Sequence, residues 1–390
     1  MISFDNTKIA FAAKTDKDLK RAYMLFKLVS SPVLVKVGKL ATTVAFALRL
    51  PINGLIKQTI FKQFCGGETI NDCAATIKVL AEFNIGTILD YSVEGKTEQA
   101  DFESTTTEII ATIKAGKEDV NIPFSVFKVT GIARFGILEK CNDTSNELTA
   151  SEKHEFHEVL NRVDRICNAA YEADVPVFID AEESWIQDTI DRLATAMMAK
   201  YNTQKVIVYN TVQMYRHDRL AHLETALLQA TQTGYYYGVK LVRGAYMEKE
   251  RNRAAEKGYE SPIQKDKASS DRDYNAALEL LVKQIQQCAV VAGSHNEMSA
   301  NVLTELMRAN GIENTDKRIY FAQLLGMSDH ISYNLAHEGY NVAKYVPYGP
   351  IREVMPYLIR RAEENTSVAG QTGRELSLII KERQRRRTEK

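Results

Sequence analysis

From residue 86 onward the chain alternates between two hydrophobic patterns. One is a set of short, nearly continuous apolar and β-branched runs: GTILDYSV (86–93), FSVFKVTG (124–131), VPVFIDA (175–181), KVIVYNTVQ (205–213), YYGVKLVRG (236–244), CAVVAGSH (288–295), RIYFAQLLG (318–326) and KYVPYG (344–349). Such unbroken apolar character is what parallel strands covered on both faces require. The other is a set of charged segments with helical periodicity, among them EKHEFHEVLNRVDRICNAAYEA, HDRLAHLETALLQATQTG and MSANVLTELMRANG. Eight strand–helix units in alternation predict an α/β fold, a (β/α)8 barrel of TIM type. A doubly wound open sheet is the competing architecture. No G-x-G-x-x-G follows any of the runs, so a dinucleotide-binding turn is not supported.

Ahead of the barrel, residues 1–85 read as a helical arm: DKDLKRAYMLFKLV, then Leu40–Ile60, then TINDCAATIKVLAEF with Thr69, Asn71 and Asp72 as capping groups. The predicted division is an arm over 1–85, a catalytic barrel over 86–368 and a charged C-terminal helix or tail over 369–390, read as solvated or peripheral. No apolar run is long enough to span a bilayer. The stretch Leu40–Ile60, broken by Arg49, Pro51 and Lys57 and flanked by Lys36, Lys39 and Lys62, is read as a packed helix in preference to an element lying on a membrane surface. Asp5, Asp16 and Asp18 near the start disfavour a transit peptide. The expected location is therefore a bacterial cytoplasm.

Composition changes this picture little. The 390 residues are 45% hydrophobic and 26% charged, and fifty basic residues balance fifty acidic ones. No global field favours nucleic acid. Five scattered cysteines (Cys65, Cys73, Cys141, Cys167 and Cys288) form no C-x-x-C pair, against a disulfide framework or zinc knuckle. His154 and His157 are spaced for a charged helix surface and have no evident third metal ligand. No G-x-S-x-G elbow exists.

The candidate chemistry lies near the strand ends, where a barrel carries its function. Asp90, Glu94, Lys128, Asp180, Gln213, Lys240, Arg243, Ser294, His295, Gln323 and Tyr345 fall there. Charged groups in strands this apolar are costly to bury alone. A buried ion pair such as Lys128–Asp180 accounts for any one of them, but a polar group from every strand favours a shared site. After the last strand, Tyr357, Arg360, Arg361 and Glu364 project from one helix face. Spacing alone favours a solvated face there, although two adjacent guanidiniums also suit a carboxylate grip. The mixture of cations and anions suits a zwitterionic or anionic small substrate with an electron-rich or phosphate-bearing cofactor. Gly244, after a strand, would let the backbone approach a ligand.

Together, KLVRGAYMEKER (240–251), GSHNE (293–297), FAQLLGM (321–327) and YVPYGPIREVMPYLIRRAEEN resemble the proline dehydrogenase family, with VFIDAEES and NTVQMY extending the likeness over residues 86–368. The pattern is closest to the eukaryote-like, monofunctional form. The resemblance implies an FAD-dependent, distorted (β/α)8 barrel that oxidises L-proline to Δ1-pyrroline-5-carboxylate and passes electrons to membrane quinone, with peripheral attachment to the inner membrane and no nucleic-acid partner. It implies a substrate carboxylate clamp at Lys128, Arg360 and Arg361. Tyr345, Tyr246 and Leu324 would line the proline ring, with Tyr357 on the lid helix and Asp180 ordering the polar network. Lys240 would lie near flavin N5. Gln213, Val242, Arg243, Gly244, Ser294 and His295 match flavin-contacting positions, and Glu364 is placed with them. Glu94 matches a gating partner of Arg360. Met247 departs from the bifunctional members' Trp, which weakens the adenine contacts carried over. Two enzymatic alternatives stand beside this: hydroxyproline oxidation, disfavoured by the bulky Tyr345, and a Schiff-base lyase using Lys240 or Lys128. A membrane-associated interaction module is the non-enzymatic one.

Overall fold

The computed structural model describes residues 1–48, 50–93, 97–367 and 371–389, apart from the side chains of 32, 46, 47, 363–367, 371 and 372. Among the described residues eight parallel strands close a barrel in sequence order. They are β1 (Ile85–Tyr91), β2 (Phe124–Lys128), β3 (Val177–Asp180), β4 (Val208–Gln213), β5 (Tyr237–Val242), β6 (Cys288–Gly293), β7 (Ile319–Leu324) and β8 (Val342–Tyr348). The β8–β1 pairing that closes it runs from Ile85↔Val342 to Tyr91↔Tyr348. Each strand lies within or beside the apolar run that predicts it. The runs overshoot the strands at the C-terminal end, because residues such as Val129–Gly131 and Arg243–Gly244 turn away to form the mouth.

Alternation along the strands divides the side chains into two sets. Ile88, Phe124, Val126, Phe178, Tyr209, Ala289, Val291, Ala322, Ala343 and Tyr345 pack inside the barrel. Phe124 stacks on Phe178 at 4.6 Å and meets Tyr320 edge-on at 4.8 Å, filling the lumen floor with aromatic rings. The opposite parity, with Leu89, Phe127, Ile179, Val212, Leu241, Val290 and Phe321, packs outward against the helices. Further along the same inward rows come Asp90, Lys128, Asp180, Lys240 and Leu324, and one step beyond them Gln213. The strand period therefore delivers these side chains to one end of the lumen.

The first eighty residues and the last helix are joined. Helix Asp16–Val29, started by a Thr15/Asp18 capping box, packs on helix Gln371–Thr388, with Phe11, Leu19, Phe26, Leu378 and Ile379 buried between them. Glu382 is fully buried and is bonded by Arg385 and Arg386, and Arg386 reaches the carbonyls of Phe11 (2.9 Å) and Lys14 (2.8 Å). The C-terminal segment is thus a packed element where a solvated tail is expected from its charge. Its apolar residues are few but fall on one face, and charge count does not register that. Phe61, Phe64 and Cys65 pack under helix Ile351–Ser367, and Gly66 bonds the Pro347 carbonyl at 2.9 Å, tying the arm to the end of β8.

Candidate active site

At the C-terminal end of the lumen, Lys240 from β5 points across to β3 and β8. Its ammonium bonds the Asp180 carboxylate and the Tyr345 hydroxyl (2.5 Å), and stands 4.6 Å from the Tyr345 ring centroid and 5.4 Å from that of Phe178. The Lys240 side chain is 5% exposed and that of Asp180 15%. A cation this buried needs such partners, since desolvation costs several kcal/mol for an uncompensated ion, in rough terms. Burial pushes the Tyr345 phenol well up from its ordinary range, with Asp180 adding to the shift, so it stays protonated. Asp90 at the end of β1 is also raised, by burial first, against the pull of Lys128, and accepts a hydrogen bond from Ser92 Oγ at 2.6 Å.

Beside this triad lies a cavity of about 320 Å³ whose walls include Asp90, Lys128, Thr130, Glu182, Tyr246 and Arg360. Tyr246 precedes helix Met247–Lys257, and burial raises its phenol. Arg360 comes from helix Ile351–Ser367, which covers the mouth because its apolar face (Ile351, Val354, Met355, Leu358) packs on Phe61, Phe64 and Met327. On the same helix Tyr357 is buried, and the Arg361 guanidinium lies 5.4 Å from its ring. Leu324, at the end of β7, pairs in register with Tyr345. Glu94 and the side chain of Glu364 lie outside the described residues.

A second group of predicted residues gathers at the ends of β4 to β6. Arg243 donates to Asp271 (2.7 Å), Ser294 (2.7 Å) and Ser299 (2.8 Å), and its guanidinium stacks 4.3 Å from the Tyr274 ring. Gly244 has φ +128°, and a Cβ there would come within 2.3 Å of Tyr215, so only glycine fits. Val242 closes β5 in register with Gln213. Gln213 donates to the Glu182 carbonyl (2.8 Å), while its buried Oε1 has no hydrogen-bond partner. His295 Nδ1 is 2.9 Å from Ser328 Oγ. Burial and then the neighbouring cations Lys344, Arg361, His330 and Arg243 pull His295 down to about 3, so its ring is neutral.

Several residues of the site escape sequence reasoning. Glu182, 3% exposed, accepts from Thr130 N (3.0 Å) and Oγ1 (2.5 Å); burial outweighs Lys128 and Thr130 and pushes its carboxyl up to about 7. Its signal was its place two residues after Asp180. Ser328 sits at φ +50°, which is rare for serine, with its N–H bonded to Glu375 of the last helix. Lys344, on the outward row of β8, is fully buried against Asp329 (2.8 Å). Burial opposes ionisation of Asp329, but Lys344 and Lys14 prevail and hold it at about 2. The pairing of Asp180 also differs from the simplest expectation: β2 and β3 align Lys128 with Asp180, yet the carboxylate is taken by Lys240 across the lumen. His154 and His157 are exposed on helix Ala150–Ala173.

Comparison with known proteins agrees with this architecture. A family model described as proline dehydrogenase matches residues 73–374. A Dictyostelium discoideum protein named proline dehydrogenase 1, mitochondrial, is 32% identical over 430 residues, covering 99% of this chain and 75% of its own. The Homo sapiens protein of the same name is 39% identical over 244 residues, covering 62% of this chain and 41% of its own. Among solved structures, proline utilization A from Bdellovibrio bacteriovorus, inactivated by N-propargylglycine, superposes with a TM-score of 0.73 over 93% of this chain at 19% identity. This chain spans 38% of that one, and at such identity the likeness shows the fold. The expected placement in a bacterial cytoplasm on the inner membrane is overturned by the relatives, which are named as mitochondrial proteins of eukaryotes. The early acidic residues Asp5, Asp16 and Asp18 belong to or adjoin the folded arm, with Asp5 bonded to Arg374 at 2.9 Å, so they report packing and not address. With the barrel closed as expected and the family model covering most of its length, the chain belongs to the proline dehydrogenase family.

Proposed function

We propose that this protein oxidises L-proline to Δ1-pyrroline-5-carboxylate with FAD as its redox cofactor and a membrane quinone as final acceptor. The observation that carries the reading is the cavity in which Lys128, Arg360 and Tyr246 meet, next to the Lys240–Asp180–Tyr345 triad. A small zwitterion needs its carboxylate gripped by cations and its ring held against apolar walls. Lys128, Arg360 and Arg361 would hold the carboxylate, and Leu324, Tyr345 and Tyr246 would wall the ring. Glu182, raised to about 7, carries less than full negative charge at neutral pH, which favours admission of an anionic group beside Lys128; burial shifts Asp90 in the same direction.

The residues at the ends of β4 to β6 fit a flavin. Its pyrimidine edge presents an N–H, which suits the unpartnered, buried Oε1 of Gln213. The cradle at Gly244 admits close approach, and Lys240, Val242, Arg243, Ser294, His295 and Glu364 would complete the binding set. When bound, FAD supplies a two-electron acceptor for hydride. The protein's part is positioning: the clamp fixes proline so that, once the ring nitrogen is deprotonated, its lone pair can expel hydride from C5 and leave the cyclic imine. In this reading residues 86–368 form the catalytic unit, while the arm (1–85) and last segment (369–390) brace the lid helix.

The test is the visible spectrum of the purified protein. A flavin band that bleaches when proline is added anaerobically supports cofactor and substrate together. A colourless protein, or a band indifferent to proline, refutes the reading.

A further inference from the structure

We propose that Glu375 of the last helix is a positioning residue for the flavin site, acting through Ser328 on the His295 ring; that a flavin is what the ring meets rests on the preceding section. Glu375 is buried, and a carboxylate oxygen accepts the backbone N–H of Ser328, 47 positions earlier in the chain. The Ser328 hydroxyl is in turn 2.9 Å from His295 Nδ1. Ser328 is left-handed at φ +50°, a conformation rare for serine. Such a conformation persists where the surroundings over-determine it. Here the N–H is taken by Glu375, the carbonyl accepts from the N–H groups of Ile331 (3.0 Å) and Ser332 (3.1 Å), and the hydroxyl meets His295. A second route starts from the same turn. Ser332 Oγ donates to Gln323 Oε1 (2.9 Å), and Gln323 Nε2 donates to the Ser294 carbonyl (3.1 Å). Ser294 and His295 are thus both held from Ser328.

The relay orients a ring that has one nitrogen to offer. His295 Nε2 makes no hydrogen bond among the described residues, and Ser328 Oγ has no partner there besides Nδ1. The hydroxyl proton can therefore go to Nδ1, which leaves the proton of the neutral imidazole on Nε2 as a donor. Arg243, one of the cations that act on the ring, bonds the adjacent Ser294 at 2.7 Å. A donor beside such cations suits an anionic or carbonyl oxygen of the cofactor. The last helix grips the neighbouring loop as well. Arg374 donates to Glu297 (2.8 and 3.2 Å), which also meets His330 Nε2 at 3.0 Å and opens the helix that follows His295. From the other side Gln63 donates to the Gly326 carbonyl (3.0 Å) and Lys344 to that of Met327 (2.8 Å). Those two bonds do not involve Glu375. Its removal therefore leaves the loop anchored and frees Ser328 alone.

The experiment is FAD binding to the full chain, followed by quenching of flavin fluorescence. Ser328→Ala deletes only the hydroxyl and should weaken binding about two- to tenfold, the range of one neutral hydrogen bond. It reads the relay even where Glu375→Ala fails to fold. Glu375→Ala should weaken binding about as much, and Glu375→Gln, which keeps an oxygen for the Ser328 N–H, should return to within about twofold of the parent. The double variant Ser328→Ala/Glu375→Ala should bind no worse than the weaker single one, because both changes cut the same relay. Leu378→Ala loosens the same helix where it packs on the arm. It should lower the melting temperature and leave FAD affinity within about twofold of the parent. Ser328→Ala binding FAD as tightly as the parent overturns the role of Glu375, and so do additive losses in the double variant. A Leu378→Ala protein that loses as much affinity overturns it too. A parent that takes up no flavin overturns the proposed cofactor and this role with it; normal uptake with unmoved variants overturns the role alone.

Discussion

Replacing Asp180 by alanine tests the charge arrangement at the heart of the site. The substitution leaves the Lys240 ammonium, on a side chain 5% exposed, with the Tyr345 hydroxyl and two ring faces as its near partners among the described residues. Breaking a buried pair by removing one member costs about 3–5 kcal/mol. Asp90 also faces Lys240, which sets the expectation at the lower end, about 3 kcal/mol. Unfolding entropy of roughly 2.1 cal/mol/K per residue amounts to about 0.8 kcal/mol/K for this chain, so the melting temperature should fall by about 4 °C. Lys240→Met should cost a similar amount by stranding Asp180. The double variant Asp180→Ala/Lys240→Met removes both charges and should return to within about 1 kcal/mol of the parent, because apolar replacement of a whole buried pair is often neutral. Thermal melts and chemical denaturation of the four proteins close the cycle. Additive losses in the double variant, or an Asp180→Ala protein that melts with the parent, would refute the coupling.

Four further outcomes are expected. Arg360→Ala or Arg361→Ala should raise KM for proline about 10- to 150-fold, from the roughly 1.5–3 kcal/mol of a charge-assisted bond, with FAD retained; unchanged proline affinity would sink the clamp. Glu182 has its carboxyl raised from 4.5 to about 7 in the fold, so the folded state holds the proton more tightly; its contribution is full below pH 4.5 and is lost as pH rises through about 7. Glu182→Gln should flatten that decline by about 3 kcal/mol, as denaturation across this window would reveal. Glu375→Leu strips the acceptor from the buried Ser328 N–H and should cost about 1–3 kcal/mol in the same denaturation assay; a loss under about 0.5 kcal/mol would contradict it. Tyr345→Ser should raise kcat/KM for 4-hydroxyproline relative to proline, and a parent enzyme that already prefers hydroxyproline would overturn the substrate proposed.

The strands and their order were legible in the sequence because each is buried on both faces, and a short, unbroken apolar run between amphipathic helices is what a doubly covered strand requires. Once the barrel closes, the strands' period of two places Asp90, Lys128, Asp180, Gln213 and Lys240 on the inward row; runs apolar on both faces do not by themselves say which parity faces the lumen. What the sequence left open is which of these groups meet. Neighbouring strands bring Lys128 level with Asp180, but inward side chains meet across a lumen whose width and tilt no local pattern encodes, and there Lys240 reaches Asp180 and Tyr345. The same limit hid Glu375, which reads as one charge in a charged tail until packing of Leu378 and Ile379 on the arm carries it beneath Ser328. It also reversed the reading of the Tyr357–Arg361 helix face, which by spacing alone is solvated and which the fold lays over the mouth of the barrel. Periodicity along the chain determines which residues share a face. The partner it finds there depends on closure of the barrel, which joins residues more than a hundred positions apart.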